Sequence, residues 1–406
     1  MADSAFKEAL RKAKHRLDAQ GAKRFIREFE SKPVGDPVKV GFIVQMPEVW
    51  HVLEPVYKIM CGDKRFEPWL IIIPSYDIKS RTFADNVSDY FVNECVNGNV
   101  ITAIKDGAWC DIDLQGFDYV FLQRPYNEYY PAHLKSGEIA RQTRLCYITY
   151  ATHEIIHDDE YPNDFFENVY LGFMEDDALT DMLNKRYSSG THRRYFNVGH
   201  PAYENGLKLD KECGYSSVLW APRWSTDPAV GVSHFSDYCK PLTGFDMGSG
   251  SLTVRPHPMM WDNFIKKGVM TEEEKAEILS DWDNAGIKTD PNKSILDTFN
   301  TTDILISDIS SVVPMFFLSG KPVIYCPFDC DYTDVFRKIL PGLYKAYDWD
   351  ELSKTLKMLL SGEDPLREER LRILNESFLK YNHSSEAIVE EIYKNSTEHK
   401  KRGLDT

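Results

Sequence analysis

Two neighbouring serines, Ser310 and Ser311, have the residue type and the setting that can bind a phosphate group. They follow the apolar run DILISD (303–308), which is typical of a strand buried on both faces of a parallel sheet. Pro314 marks the first turn of a predicted helix, and the serines take its N-cap positions. Hydroxyl groups at a helix N-terminus beside such a strand can cradle a phosphate. The pattern also fits an ordinary capped βαβ crossover.

Two further turns place charged or imidazole side chains at predicted strand ends. RPHP (255–258) follows a strand over residues 251–254, and Arg223 follows a strand that begins at Ser217. His257 lies between two prolines that stiffen its loop, so its ring either contacts a ligand or is satisfied by the backbone. Arg255 either adds positive charge to a site or forms a salt bridge. A phosphate ligand needs donors of these kinds, and serines and backbone N–H groups supply them without a metal.

The remaining polar residues of the serine loop have weaker assignments. Asp308 is expected to order the loop through backbone hydrogen bonds rather than to touch a ligand. Lys321 follows Gly320 at the predicted helix end and is expected to point into solvent.

Three motifs come in a specific order along the second half of the chain. VLWAPRW (218–224), RPHP (255–258) and DILISDISSVVPMFFLSGKPVIYCPFD (303–329) resemble the bacterial CDP-glycerol glycerophosphotransferases, which are teichoic acid primases and polymerases, and their capsule-making relatives. The resemblance covers about residues 215–330. It implies a GT-B fold in which these motifs line a CDP-glycerol pocket. It also implies that His257 contacts the donor phosphate as a catalytic residue, and that the substrate-binding residues are Arg255, Asp308, Ser310, Ser311 and Arg223.

The transfer also needs a base for the acceptor hydroxyl. The resemblance implies a histidine in a loop after the last strands of the first domain. His153 follows the predicted strand LCYITY (145–150) and is therefore the expected catalytic base. The glycine and the Thr-Pro that normally follow this histidine in the family are missing here, and Arg223 stands where the family usually has a smaller polar residue.

The same segment satisfies HExxH, the pattern of zinc proteases, through His153, Glu154 and His157. That site needs a substantial helix, but a predicted strand ends just before His153 and the run from Asp158 to Pro162 would end a helix soon after. We therefore expect no metal site and no cofactor, with CDP-glycerol acting as the donor substrate.

The elements that must position these residues alternate between strands and helices. Predicted strands lie at 38–45, 69–73, 119–122, 145–150, 169–173 and 195–198 in the first half. The pattern restarts near residue 205, which predicts an α/β protein of GT-B type with two Rossmann-like domains whose parallel sheets face a central cleft. The expected domains are a basic amphipathic helical segment (1–35), an acceptor domain (36–205), a CDP-donor domain (206–370) and a C-terminal helix that packs back across the domains (371–406).

Composition excludes several classes of protein. A length of 406 residues favours two domains, and 42% hydrophobic residues is typical of a globular protein. The net charge of −15 argues against a general nucleic-acid binder. Eight scattered cysteines without a CxxC pair, and the lack of a signal peptide or a long apolar run, predict a cytoplasmic protein.

Residues 1–32 break the acidic trend. They hold nine basic and five acidic residues, a net charge of +4, and one helical face carries apolar side chains. Such a helix either lies on the inner face of an anionic membrane, as a peripheral contact, or packs on its own domain with a solvated basic face.

The resemblance therefore implies a transferase that moves glycerol phosphate, or a related polyol phosphate, from CDP-glycerol to a lipid-linked or polymeric glycan acceptor. CMP would leave, and the product would be a teichoic acid or a phosphodiester-linked capsule. Two alternatives stay open. One is a GT-B glycosyltransferase that uses a nucleotide sugar, because a fold does not fix the donor. The other is a non-catalytic subunit that kept the nucleotide pocket but lost the base. The acceptor, the polyol and the oligomeric state are not given by the sequence.

Overall fold

The computed structural model contains two compact units, each built on its own sheet. Unit 1 comprises the described parts of Met1–Tyr150, His157–Asn205 and His383–Thr406, and unit 2 those of Ala151–Ile156 and Gly206–Asn382. The structure describes residues 20–77, 80–105, 108–151, 163–187, 194–201, 204, 214–228, 231–292, 294–328, 330, 332–378 and 383–404.

Unit 1 is organised around a parallel sheet of seven strands in the order β11-β10-β9-β8-β1-β2-β5. Two short antiparallel hairpins, β3–β4 and β6–β7, extend from it. The strands are β1 Val38–Val44, β2 Phe66–Ile72, β3 Ser75–Asp77, β4 Thr82–Ala84, β5 Val100–Thr102, β6 Ile104–Lys105, β7 Ala108–Trp109, β8 Tyr119–Leu122, β9 Arg144–Ile148, β10 Leu171–Met174 and β11 Tyr195–Asn197.

Helices cover both faces of this sheet, as the near-continuous apolar runs of its strands require. Alternate residues of β1 supply the two apolar clusters, with Val40 and Phe42 on one face and Ile43 on the other. The helices of unit 1 are α1 (20–31), α2 Trp50–Gly62, α3 Ser88–Glu94, α4 Ser136–Ala140, α5 Asn163–Phe166, α6 Asp177–Tyr187 and, at the far end of the chain, α15 Ser384–Leu404.

Unit 2 contains a parallel sheet of six strands in the order β14-β13-β12-β15-β16-β17. Its strands are β12 Ser217–Ala221, β13 Ser251–Val254, β14 Lys288–Thr289, β15 Ile304–Ser307, β16 Val323–Tyr325 and β17 Tyr344–Lys345. Its helices are α7 Phe235–Thr243, α8 Met260–Lys266, α9 Glu272–Asn284, α10 Ile295–Thr301, α11 Val312–Phe317, α12 Asp334–Ile339, α13 Trp349–Leu360 and α14 Arg367–Ile373.

The predicted parallel sheets are confirmed, and most long elements lie where periodicity placed them. Residues 82–95 form β4 followed by α3. The sequence also missed β5, β14, β17 and both hairpins, because strands of two or three residues carry too little periodicity to be recognised.

Both chain ends that the structure describes pack on unit 1. In α1, Ala22, Ile26 and Phe29 are buried on one face, while Lys23, Arg24 and Arg27 are exposed. In α15, Ile388, Val389 and Ile392 join the same apolar cluster. Among the described residues, no helix is both long and apolar enough to cross a bilayer.

Candidate active site

The three motif loops lie side by side at one edge of the unit 2 sheet. β12 pairs with β13 on one side and with β15 on the other, and all three strands are parallel. Their carboxyl ends therefore meet at the same edge, which is where open α/β sheets bind ligands. The loops carry Arg223 after β12, His257 after β13, and Asp308 to Ser311 after β15.

Asp308 is the acceptor that joins the loop after β15 to the segment between β12 and α7. Its Oδ2 accepts hydrogen bonds from the backbone N–H of Arg223 (2.8 Å) and the hydroxyl of Ser233 (3.3 Å). Its Oδ1 contacts His234 twice, at the backbone N–H (3.3 Å) and at ring Nδ1 (2.7 Å). Because the carboxylate is 2% exposed, these bonds compensate its desolvation and fix the loop geometry. Its contacts agree with the ordering role expected from the sequence.

His234 is a member of this cluster that the sequence analysis missed. It directly precedes α7, and its Nδ1 forms an ion pair with Asp308 when the ring is protonated. The hydrogen bond to Asp308 raises the pKa of His234, against the opposing effect of burial. The available signal was a histidine at the start of a helix that follows the β12 loop, but no spacing to another motif singled it out.

Arg223 lies in the loop after β12 and interacts with the loops after β15 and β13. Its Nη1 donates to the carbonyl oxygen of Ile309, the residue before Ser310, and its charge acts on His257. Gly231 lies beside Arg223 and Ile309 and has φ of +97°. A Cβ at this position would lie 2.9 Å from Ile309 Cγ2. A side chain at position 231 would therefore displace the serine loop.

The hydrogen bond of His257 to its own loop selects one tautomer of the neutral ring. Its Nδ1 accepts the backbone N–H of Met259 at 3.2 Å, which leaves the proton on Nε2. Desolvation by neighbouring protein atoms, together with the Arg223 charge, lowers the pKa of His257, although the residue keeps exposed surface. The ring lies 6.0 Å from that of Trp224, between centroids. An Nε2–H donor that stays neutral at pH 7 suits a phosphate oxygen.

Ser310 and Ser311 are half-buried at the start of α11. Ser311 occupies the predicted N-cap position, but its side chain accepts no helix N–H, and Ser310 Oγ accepts that of Val312 at a long 3.4 Å. Since α11 is six residues long, its dipole adds little and the hydroxyls themselves are the polar groups offered to a ligand.

Arg255 makes the salt bridge that the sequence left open as an alternative. Its Nη1 contacts Asp290 Oδ2 and donates to the carbonyl of Asn292 at 2.9 Å. Thr298 donates to the same Asp290 oxygen at 2.6 Å. Within unit 2 these contacts position the loop before His257, and a direct contact of Arg255 with substrate stays a prediction.

The expectation that Lys321 points into solvent was wrong. The residue is 5% exposed, and its Nζ donates to the carbonyls of Phe299 (3.0 Å) and Thr302 (2.7 Å). These are carbonyls at the C-terminal end of α10, which a cation stabilises.

The predicted base His153 and the whole HExxH segment lie outside the described residues. His153 therefore stays a prediction. Within the described ranges, no group of three or more His, Cys, Asp or Glu side chains is arranged to hold a metal ion.

Residues 203–394 match the family model described as CDP-glycerol:poly(glycerophosphate) glycerophosphotransferase. This stretch of the chain is similar to that family. The match spans all three motif loops, and it confirms the family that they indicated. It also confirms the prediction that the chain is an enzyme of the glycerophosphotransferase class. No curated protein sequence matches the chain.

Solved structures show the same fold. The wall teichoic acid polymerase TagF aligns over 97% of this chain and 98% of its own, at 13% identity and a TM-score of 0.53. MnaA from S. aureus, solved with UDP, aligns over 88% and 97%, at 14% identity and a TM-score of 0.54. A UDP-N-acetylglucosamine 2-epimerase aligns over 89% and 95%, at 12% identity and a TM-score of 0.53. These are GT-B enzymes, so the predicted GT-B fold is confirmed.

Proposed function

We propose that the chain transfers glycerol phosphate, or a related polyol phosphate, from its CDP derivative to a hydroxyl acceptor in the synthesis of teichoic acid or a phosphodiester-linked capsule. The observation that carries this proposal is the cluster at the edge of the unit 2 sheet. There, Asp308 ties the loop of Ser310 and Ser311 to Arg223, inside the stretch that matches the family. TagF has been solved with CDP-glycerol, which supports the same donor class here.

In this reaction an oxygen of the acceptor attacks the β-phosphorus of the donor. A new O–P bond forms there, the anhydride O–P bond breaks, and CMP leaves with the bonding electrons. The acceptor proton goes to a base, for which His153 is the candidate. No step in this sequence requires a change of oxidation state.

The unit 2 cluster would stabilise the leaving phosphates. Neutral His257 would donate from Nε2, Ser310 and Ser311 would donate from their hydroxyls, and Arg223 would supply charge. His257 is held by a bond within its own loop and Arg223 by a bond to the serine loop, so these two groups need little reorganisation when negative charge develops. Removing one such donor typically lowers kcat by about 10²–10³.

The test is release of CMP from CDP-glycerol by the full chain, with polyol phosphate and lipid-linked glycan acceptors. We expect Ser310→Ala, Ser311→Ala and His257→Ala to lower turnover strongly, whereas His153→Ala removes turnover but leaves CDP-glycerol affinity near that of the wild type. Release of UDP from a UDP-sugar, with no CMP from CDP-glycerol, would instead support the nucleotide-sugar alternative. Binding of CDP-glycerol without any turnover would support the non-catalytic one.

We also propose that the enzyme acts in the cytoplasm, with α1 bringing it to lipid-linked acceptors on the inner face of the membrane. The exposed Lys23, Arg24 and Arg27 support an electrostatic contact with anionic lipid. Wild-type protein should co-sediment with vesicles that contain anionic lipid more than with neutral ones, and replacing these three residues by Gln should remove the difference. Equal binding to both vesicles would contradict the contact.

A further inference from the structure

The strand order of the unit 1 sheet contains a topological switch point. Successive strands β1 and β2 add in one direction, while β8 lies on the other side of β1. The β1/β8 boundary is therefore the topological switch point, where the loops diverge and leave a crevice at the carboxyl ends. The residues that follow these two strands are Gln45 and the pair Gln123-Arg124.

Two buried glutamine side chains lock these loops together. Gln123 Oε1 accepts the backbone N–H groups of Gln45 (2.5 Å) and Met46 (2.8 Å), and its Nε2 donates to the Met46 carbonyl at 3.0 Å. Gln45 Nε2 donates to the carbonyls of Pro74 (2.9 Å) and Tyr129 (3.0 Å). Because Gln45 Nε2 makes both of these bonds, the side-chain amide is fixed with its Oε1 toward Arg124.

Arg124 is a buried cation, and few polar groups of the described chain contact its guanidinium. It is 8% exposed, and its guanidinium donates from Nη2 to Gln45 Oε1 at 2.7 Å and also interacts with the hydroxyl of Tyr130. It lies 4.4 Å from the centroid of the Tyr129 ring, and its Nε is buried without a hydrogen-bond partner. No carboxylate pairs with it among the described residues. Burying a cation costs free energy unless hydrogen bonds or an opposite charge compensate it.

Other buried arginines of the chain are compensated differently. Arg144 donates from Nη2 to the carbonyls of Phe29 and Lys32 at the end of α1, and Arg370 pairs with Asp364. Arg144 thus anchors a helix and Arg370 forms an ion pair. Arg124 does neither, so its charge is available for an anion from outside the chain.

The ring of Tyr129 that Arg124 contacts belongs to a larger group of tyrosines. Tyr129 packs against Tyr76 and Tyr126, each at 5.7 Å between ring centroids, and the hydroxyls of Tyr126 and Tyr150 lie 3.2 Å apart. We call these four residues the tyrosine band. Phenol rings pack on the carbon skeleton of sugars and polyols, and their hydroxyls bond polar groups at the same time.

We propose that Arg124 binds a phosphate group at the switch point of unit 1, with the tyrosine band holding the sugar or polyol attached to it. The guanidinium fork suits bidentate contact with phosphate. That this phosphate belongs to the acceptor rests on the proposed function, whereas the site itself does not. A phosphorylated acceptor would then be recognised in unit 1 by a group that takes no part in the chemistry.

The test is calorimetric titration of the full chain with glycerol 3-phosphate, with inorganic phosphate as the second probe. Arg124→Gln should weaken binding about 10- to 100-fold, the value of one charge-assisted contact, and Arg124→Lys should restore part of it. Arg141→Gln is the matched control, because that arginine is 54% exposed and pairs with Glu138 in the same unit. The double variant Ser310→Ala, Ser311→Ala should keep the Arg124-dependent binding, which separates this site from unit 2.

Stability gives a second readout. A structural arginine would lower the melting temperature when replaced, whereas removing an uncompensated cation should leave it unchanged or raise it. In turnover assays Arg124→Gln should raise KM for a phosphorylated acceptor and leave KM for CDP-glycerol unchanged.

The proposal is overturned if wild-type protein shows no saturable binding, if the Gln and Lys variants both bind like wild type, or if both variants unfold at a lower temperature than wild type. If Arg124→Gln loses binding but the wild-type protein never releases CMP, the site is supported and only its role in binding the acceptor is rejected. Tighter binding of glycerol 3-phosphate than of inorganic phosphate would show that the tyrosine band contributes to affinity.

Discussion

At the scale of single residues, Asp308 should matter through the bonds it accepts. Replacing it with Ala removes the acceptor for Arg223, Ser233 and His234, so we expect unit 2 to lose about 3–5 kcal/mol of unfolding free energy. Urea denaturation measures this loss. Asp237→Ala is the control, because Asp237 is an exposed acid in the first turn of α7 and should cost less than about 1 kcal/mol. Equal effects of the two variants would show that Asp308 does not organise the loops.

His234 should make the stability of unit 2 depend on pH. Because Asp308 raises its pKa in the folded protein, the charged ring stabilises the fold fully below its ordinary value of about 6.5. This contribution is lost as pH rises from there through the folded pKa. Thermal unfolding from pH 6 upward should show the decline in wild type and a flatter profile in His234→Gln. A steeper decline in the variant would contradict this sign.

At the scale of secondary structure, Lys321 links two elements of unit 2. Its buried Nζ bonds the last carbonyls of α10, so Lys321→Met should cost about 1–3 kcal/mol in the unfolding free energy. Lys338 lies in the last turn of α12 but is exposed, and Lys338→Met should change stability by less than about 0.5 kcal/mol. Denaturant midpoints for the two variants decide the matter, and matching midpoints would reject the capping role.

The same residue shows what sequence could not predict. Strand ends and loop motifs follow local patterns, so β8, β13 and the position of Ser311 could be placed from hydrophobic runs and cap signals. Lys321 was misplaced because its acceptors come from a helix about twenty residues earlier, and the partnership depends on sheet packing. His234 and Asp308 are likewise 74 residues apart in the chain. Arg124 was overlooked because what distinguishes it is that no carboxylate among the described residues pairs with it, which a sequence does not display.

At the scale of the whole molecule, the two units should respond to acid in opposite directions. Burial, with the neighbouring His200, lowers the pKa of His51 in unit 1 to about 4. A folded pKa below the ordinary value of about 6.5 means that the unfolded chain binds the proton first, so stability is lost as pH falls from about 6.5 toward 4. Between pH 7 and pH 5 this single group should cost unit 1 about 2 kcal/mol. Over the same range His234 gains its charge and stabilises unit 2.

Calorimetry of the full chain can separate these effects, because each unit has its own apolar core. On lowering the pH from 7 to 5, we expect the transition of unit 1 to shift to lower temperature relative to that of unit 2. His51→Gln should remove most of the shift in unit 1, and His234→Gln should remove the opposing gain in unit 2. A single transition that moves identically in all three proteins would mean that the units unfold together and that neither histidine sets the response. Two transitions that separate in wild type and converge in the double variant would assign the acid response of the molecule to this pair of side chains.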